Sequence, residues 1–128
     1  MLLRTLLTLF LITSSVYAET LQVTYGLKSY TLTYEESLVV FEGELMKLSL
    51  QKKSCNQGIL KKFLVLLRAN KAKIVRLAVK PEDSVRVTSA GESFYTTAST
   101  PGGRFLQLIP GEIKRMKIEE KLRCKVDE

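Results

Sequence analysis

Apolar positions along this chain recur mainly at every second residue, in short runs that each end at a turn signal. Leu21, Val23 and Tyr25 alternate with polar neighbours until Gly26 interrupts them, and Tyr30, Leu32 and Tyr34 alternate around Thr31 and Thr33. Both patterns suit strands buried on one face. Leu38 to Phe41 is a continuous apolar run, and after Gly43 the segment Leu45 to Leu50 puts Leu48 and Leu50 on one side and Lys47 and Ser49 on the other. Gln51 to Gly58 is polar and reads as a loop. Residues 59–69 fit two periods. Ile59, Leu60, Phe63, Leu64 and Leu67 form a helical stripe, but Val65 and Leu66 would spoil its polar face. The strand buried on both faces is the preferred expectation, with one helix at about 59–69 as the alternative.

Farther on, Asn70-Lys71-Ala72 reads as a turn, Ile74 to Val79 as a returning strand and Pro81-Glu82-Asp83 as a second turn. Val85 and Val87 start another strand, Ala90-Gly91-Glu92 turns, and Phe94 to Thr97 is β-prone. Ala98 to Gly103 reads as a flexible loop, and Pro110-Gly111 as a type II turn after Phe105 to Ile109. In the last stretch Met116, Ile118, Leu122 and Cys124 are interleaved with charged residues, which predicts a final two-sided strand. Short strands with turn signals every 8–12 residues or so predict an all-β antiparallel sandwich.

Three stretches carry a resemblance that sharpens this expectation: Phe63-Leu-Val-Leu-Leu-Arg-Ala-Asn70, Val85-Arg-Val-Thr-Ser-Ala-Gly91 and Leu108-Ile-Pro-Gly-Glu112. Together they resemble the strand-and-turn pattern of secreted bacterial immunoglobulin-like modules, including the first domain of periplasmic pilus chaperones. The resemblance covers roughly the C-terminal half and departs from the chaperones in lacking a second sandwich domain. It implies an immunoglobulin-like sandwich and, as a general tendency of such modules, adhesion, assembly or partner binding; a shared fold does not establish function.

The first eighteen residues change the picture of where that domain works. Arg4, the apolar run Leu6 to Ile12, polar Thr13-Ser14-Ser15 and then Val16-Tyr17-Ala18 have the layout of a cleaved secretory signal. The apolar run falls short of the roughly 20 residues that a membrane span needs. The expected organisation is therefore a signal peptide at 1–18 and a single domain at 19–128, exported to a periplasm or secreted, with no transmembrane segment after cleavage. In that oxidising setting the two cysteines, Cys55 and Cys124, are expected to form a disulfide. Neither Asn56 nor Asn70 begins a glycosylation sequon.

Candidate chemistry narrows quickly. The chain of 128 residues contains no histidine, which removes the usual general base near neutral pH and the commonest transition-metal ligand. No cofactor, metal ligand set or catalytic residue is expected. Ser49 and Lys52 match a bare Ser-x-x-Lys spacing, but residues three apart on a strand face opposite sides. A secreted serine/lysine hydrolase is the least favoured alternative. Without Arg4 the charge balance is 19 Lys and Arg against 13 Asp and Glu, a net +6. On a final strand, Arg115, Lys117, Lys121, Arg123 and Lys125 would share one face, which makes them the candidate site for an anionic partner. Lys71, Lys73, Arg76 and Lys80 form a second cluster. No aromatic residues interleave with these cations, so nucleic acid is not the expected partner. The expected function is a non-enzymatic envelope module that docks a protein, or an anionic glycan or lipid headgroup. A periplasmic inhibitor or chaperone-like protein presenting Ala98 to Gly103 is the runner-up.

Overall fold

The computed structural model describes residues 18–125, so the signal expected at 1–18 lies outside the described residues except for Ala18. Six strands appear in chain order: β1 (Glu19–Tyr25), β2 (Lys28–Tyr34), β3 (Leu38–Glu42), β4 (Lys47–Gln51), then β5 (Ser84–Ser89) and β6 (Glu92–Thr97). Helix α1 (Gln57–Lys71) lies between β4 and β5, and helix α2 (Pro101–Arg123) follows β6. The strands form one antiparallel sheet in the order β4-β3-β2-β1-β5-β6.

Period-2 patterning places one side chain of each pair on each face. Leu21, Val23, Tyr30, Leu32, Tyr34, Val39, Phe41, Leu50, Val85 and Val87 point to the same side and are buried. They share one core with Ile59, Leu60, Phe63, Leu64 and Leu67 of α1 and Leu106, Ile109, Ile113 and Met116 of α2. The opposite face carries Gln22, Thr24, Thr31 and Ser93 and is open, as antiparallel sheets permit. The β5–β6 hairpin turns through Ala90 and Gly91, both at positive φ (53° and 78°), the geometry whose twist suits a two-residue connection.

The strands expected from β1 through β4 and at Val85–Val87 and Phe94–Thr97 are present. The second layer is helical: a second sheet, which a sandwich requires, is not found among the described residues. Residues 59–69 belong to α1, so the preferred strand reading is corrected to its helical alternative. The final strand is corrected as well, since 101–123 is one helix. Its buried residues Leu106, Ile109, Ile113, Met116 and Glu120 recur at intervals of three and four. Ile74 to Val79 keeps only one bridge, Leu77 with Tyr95. Of the three stretches that carry the resemblance, only Val85–Gly91 lies in a strand and its turn.

Pro110 sits inside α2, where the missing N–H leaves the Leu106 carbonyl without its intrahelical donor. The Tyr30 hydroxyl of β2 supplies a replacement, donating to Leu106 O at 2.6 Å in the core. Burial also pushes the Tyr30 hydroxyl above the ordinary tyrosine range, keeping it a donor. Tyr30→Phe should therefore cost about 1–3 kcal/mol by orphaning a buried carbonyl. In a Pro110→Ala background the new N–H serves Leu106, and the cost of Tyr30→Phe should shrink by about 1 kcal/mol or more. Urea denaturation of the four proteins measures this, and an equal cost in both backgrounds would refute the assignment.

The corner between β4 and α1 is bound to the end of α2. Cys55 and Cys124 form the expected disulfide, with 5.3 Å between their Cα atoms and a sequence separation of 69. Asn56, fully buried, donates through Nδ2 to Gln51 O (2.9 Å) and to Glu120 Oε2 (2.6 Å), and its Oδ1 accepts from Lys53 N (2.7 Å). Lys117 Nζ donates to Glu120 Oε1 and to Ser49 O, each at 2.9 Å. Every polar group of this corner that enters the core thus has a partner, which is the condition for burying a carboxylate such as Glu120.

Candidate functional site

The stripe Ile59, Leu60, Phe63, Leu64 and Leu67 turns α1 onto the sheet, so Lys61, Lys62, Val65, Leu66 and Arg68 face outward. The same geometry on α2 sends Arg104, Leu108, Lys114, Ile118, Lys121 and Leu122 outward. The helices form the basic side of the molecule. They contain ten of the 20 Lys and Arg residues but only three of the 13 Asp and Glu residues, and α1 contains no acidic residue. Outside the helices the remaining ten cations and ten carboxylates cancel, so the formal net charge of +7 resides on the helical layer.

Internal ion pairs use part of that charge. Arg115 binds Glu112 and, through Nη1, Glu119 Oε2 at 3.2 Å; Arg123 Nη2 reaches Glu119 Oε1 at 3.2 Å. The Glu112 carboxylate, first by its hydrogen bond, holds the Arg115 guanidinium still more firmly in its charged form. Lys117 is committed to Glu120 and the β4 backbone. Lys71 Nζ lies 3.3 Å from Glu19 Oε2 and 3.1 Å from Tyr34 Oη, and the Tyr34 hydroxyl donates to the same carboxylate oxygen at 2.7 Å. The Tyr34 hydrogen bond and Lys71 hold the Glu19 carboxyl below its usual range; burial and Glu19 raise the Tyr34 hydroxyl above its own. Lys61, Lys62, Arg68, Arg104, Lys114 and Lys121 make no ion pair with any described residue.

Two depressions cross this layer. A groove of about 250 Å³ between the helices is lined by apolar Ile59, Phe63, Leu66 and Met116 and by the charged side chains of Lys62, Arg115, Arg123, Glu112 and Glu119. A cleft of about 440 Å³ on the other flank of α1 is lined by Lys52, Lys61, Arg68, Leu64, Val65 and Glu36. Both are shallow and charged at the rim, the shape of a contact surface more than of a closed substrate pocket.

The five cations expected on one strand face are dispersed by the helix. Arg115 and Arg123 turn toward the interhelical groove, Lys117 turns to the β4 edge, Lys121 faces out, and exposed Lys125 lies just past the helix end. In the second expected cluster, Lys71 is paired and Arg76 binds Glu92 at 3.1 Å while stacking over Phe94 at 4.5 Å. Ser49 lies on the outward side of β4, next to buried Leu50, and Lys52 lines the cleft beside α1. Of the expected loop Ala98 to Gly103, residues 98–100 form a turn and Pro101 to Gly103 begin α2, with Gly102 and Gly103 buried. Lys61, Lys62 and Arg68 of α1 were not among the sequence candidates, although one signal was available: Leu45 to Pro81 contains ten Lys and Arg residues and no carboxylate.

Among the described residues no group of three or more His, Cys, Asp or Glu could hold a metal ion, and no helix is long and apolar enough to cross a membrane. No protein-family model matches the chain, and neither a curated protein nor a solved structure does.

Proposed function

We propose that this protein is an exported, non-enzymatic docking module that binds an anionic partner in the cell envelope through the outer face of its helical layer. The observation that carries the reading is the location of the charge: two helices packed side by side carry +7, more than the net +6 of the chain without residues 1–18, and six of their cations make no ion pair with any described residue. A one-sided field of this kind steers and orients an oppositely charged surface. The disulfide suits an oxidising compartment and supports export.

The sheet edges offer little competition as a docking route. At β6 the Leu77 segment exchanges two backbone hydrogen bonds with Tyr95, and at β4 the Ser49 and Gln51 carbonyls are taken by Lys117 and Asn56. Strand addition needs free backbone groups in a row.

Replacing Lys61, Lys62, Arg68, Lys114 and Lys121 by Gln should test the reading directly. Wild-type protein is expected to sediment with a washed envelope fraction and to be released by salt. The five-fold variant, folded by circular dichroism, should stay in the supernatant. Retention of the variant equal to wild type would overturn the proposal.

A further inference from the structure

Exposed apolar side chains on the helical layer follow a rule. Val65, Leu66 and Leu108 lie four residues after Lys61, Lys62 and Arg104, and Ile118 lies four after Lys114; none of those four cations makes an ion pair with a described residue. Residues four apart are neighbours on a helix surface. The outer face is therefore a mosaic in which an unpaired cation sits beside a protruding aliphatic group. Leu122 extends the mosaic one turn beyond Ile118, and Lys121 sits three residues after Ile118. Three of these aliphatic groups stand clear of the surface: Leu108 is 66% exposed, Ile118 63% and Leu122 72%.

Resting on the docking reading above, we infer that the partner is the surface of an anionic lipid bilayer, on which both helices lie flat. Two features favour lipid over a folded protein. A protein partner would engage anchors set in pockets, whereas Leu108, Ile118 and Leu122 line neither depression and project from the layer. Lysine is a flexible point charge that needs no fixed partner geometry, and its stem lets the ammonium reach headgroups while a neighbouring aliphatic group enters the acyl boundary. Apolar contact and cation attraction in one helical face are the two terms of interfacial binding.

Co-sedimentation with vesicles tests the inference on exported protein whose N-terminus has been read by mass spectrometry. The vesicles are phosphatidylcholine alone or phosphatidylcholine mixed with phosphatidylglycerol. Wild type should partition onto the mixed vesicles only and weaken with salt. A K61Q/K62Q/K114Q/K121Q variant should partition at least about tenfold more weakly, because each cation near an anionic surface contributes a factor of about five. A V65S/L66S/I118S/L122S variant should also lose about tenfold, through the apolar term. These side chains are exposed, so unchanged melting curves will show that both variants are folded. Equal binding to both vesicle types, or apolar substitutions without effect, would overturn the bilayer assignment. Envelope retention without vesicle binding would also overturn it and leave the docking reading standing; loss of envelope retention in wild type would end both.

Discussion

A Cys55→Ala/Cys124→Ala protein should lose about 4 kcal/mol of stability, the loop-closure entropy that a cross-link over 69 residues removes from the unfolded chain. For a domain of this size the loss lowers the melting temperature by about 20 °C. Such a loss is large against the roughly 5–15 kcal/mol that small domains possess. The variant should still fold at room temperature, because Asn56 and Glu120 join the same two segments without the sulfurs. Differential scanning calorimetry of the variant beside wild type measures the shift. A drop of only a few degrees would mean that the Asn56–Glu120–Lys117 network holds the corner unaided and that the disulfide is redundant.

Gly103→Ala should be nearly as damaging, at about 3 kcal/mol, the upper part of the overpacking range. A Cβ at this position would lie 1.9 Å from the Thr97 carbonyl oxygen and 2.9 Å from its carbon, and both are backbone atoms that no rotamer change can move aside. The chain leaves β6, reverses at Thr100 and begins α2 almost against the strand it has just left. The Gly103 amide is tied there to Thr100 Oγ1 at 3.2 Å, so the helix start cannot retreat without losing its cap. Gly111→Ala is the matched control. It lies in the same helix with nothing within 4 Å of the added Cβ, and it should stabilise by about 0.5–1 kcal/mol through helix propensity alone. The two substitutions are chemically identical and opposite in sign. Thermal melts that move both proteins in the same direction would show that the close approach of α2 to β6 is not as described.

The same helix shows where a sequence reading goes astray. The strands from β1 through β6 were legible because each buries one face, so alternation in Leu21/Val23 or Tyr30/Leu32/Tyr34 reports burial directly. In α2 the rule fails for two physical reasons. Glu120 occupies a core position, so a carboxylate stands where the helical stripe calls for an aliphatic residue. Ile118 and Leu122 are aliphatic yet face solvent, and with Met116 and Cys124 they mimic a period of two. Pro110-Gly111 completes the disguise, since its turn signal is overridden by a hydroxyl from β2, distant in sequence. One local sign of the helix was present: Thr100-Pro101 is an N-cap followed by Pro at the first helical position. In α1, Val65 and Leu66 blurred the polar face for the same reason as Ile118 and Leu122. The misread positions are the aliphatic members of the proposed membrane-facing mosaic.

The grip of Lys117 on β4 also limits how copies of this chain can associate. A foreign strand pairing along β4 would have to displace the ammonium from the Ser49 carbonyl, and Glu120 would feel the movement of its partner Lys117. Loosening Glu120 would in turn disturb Asn56 and the Gln51 carbonyl, so strand exchange and native packing at the stapled corner compete for the same groups. Crowded copies should therefore meet side by side through their surfaces, reversibly, and should not thread their sheets into continuous ribbons.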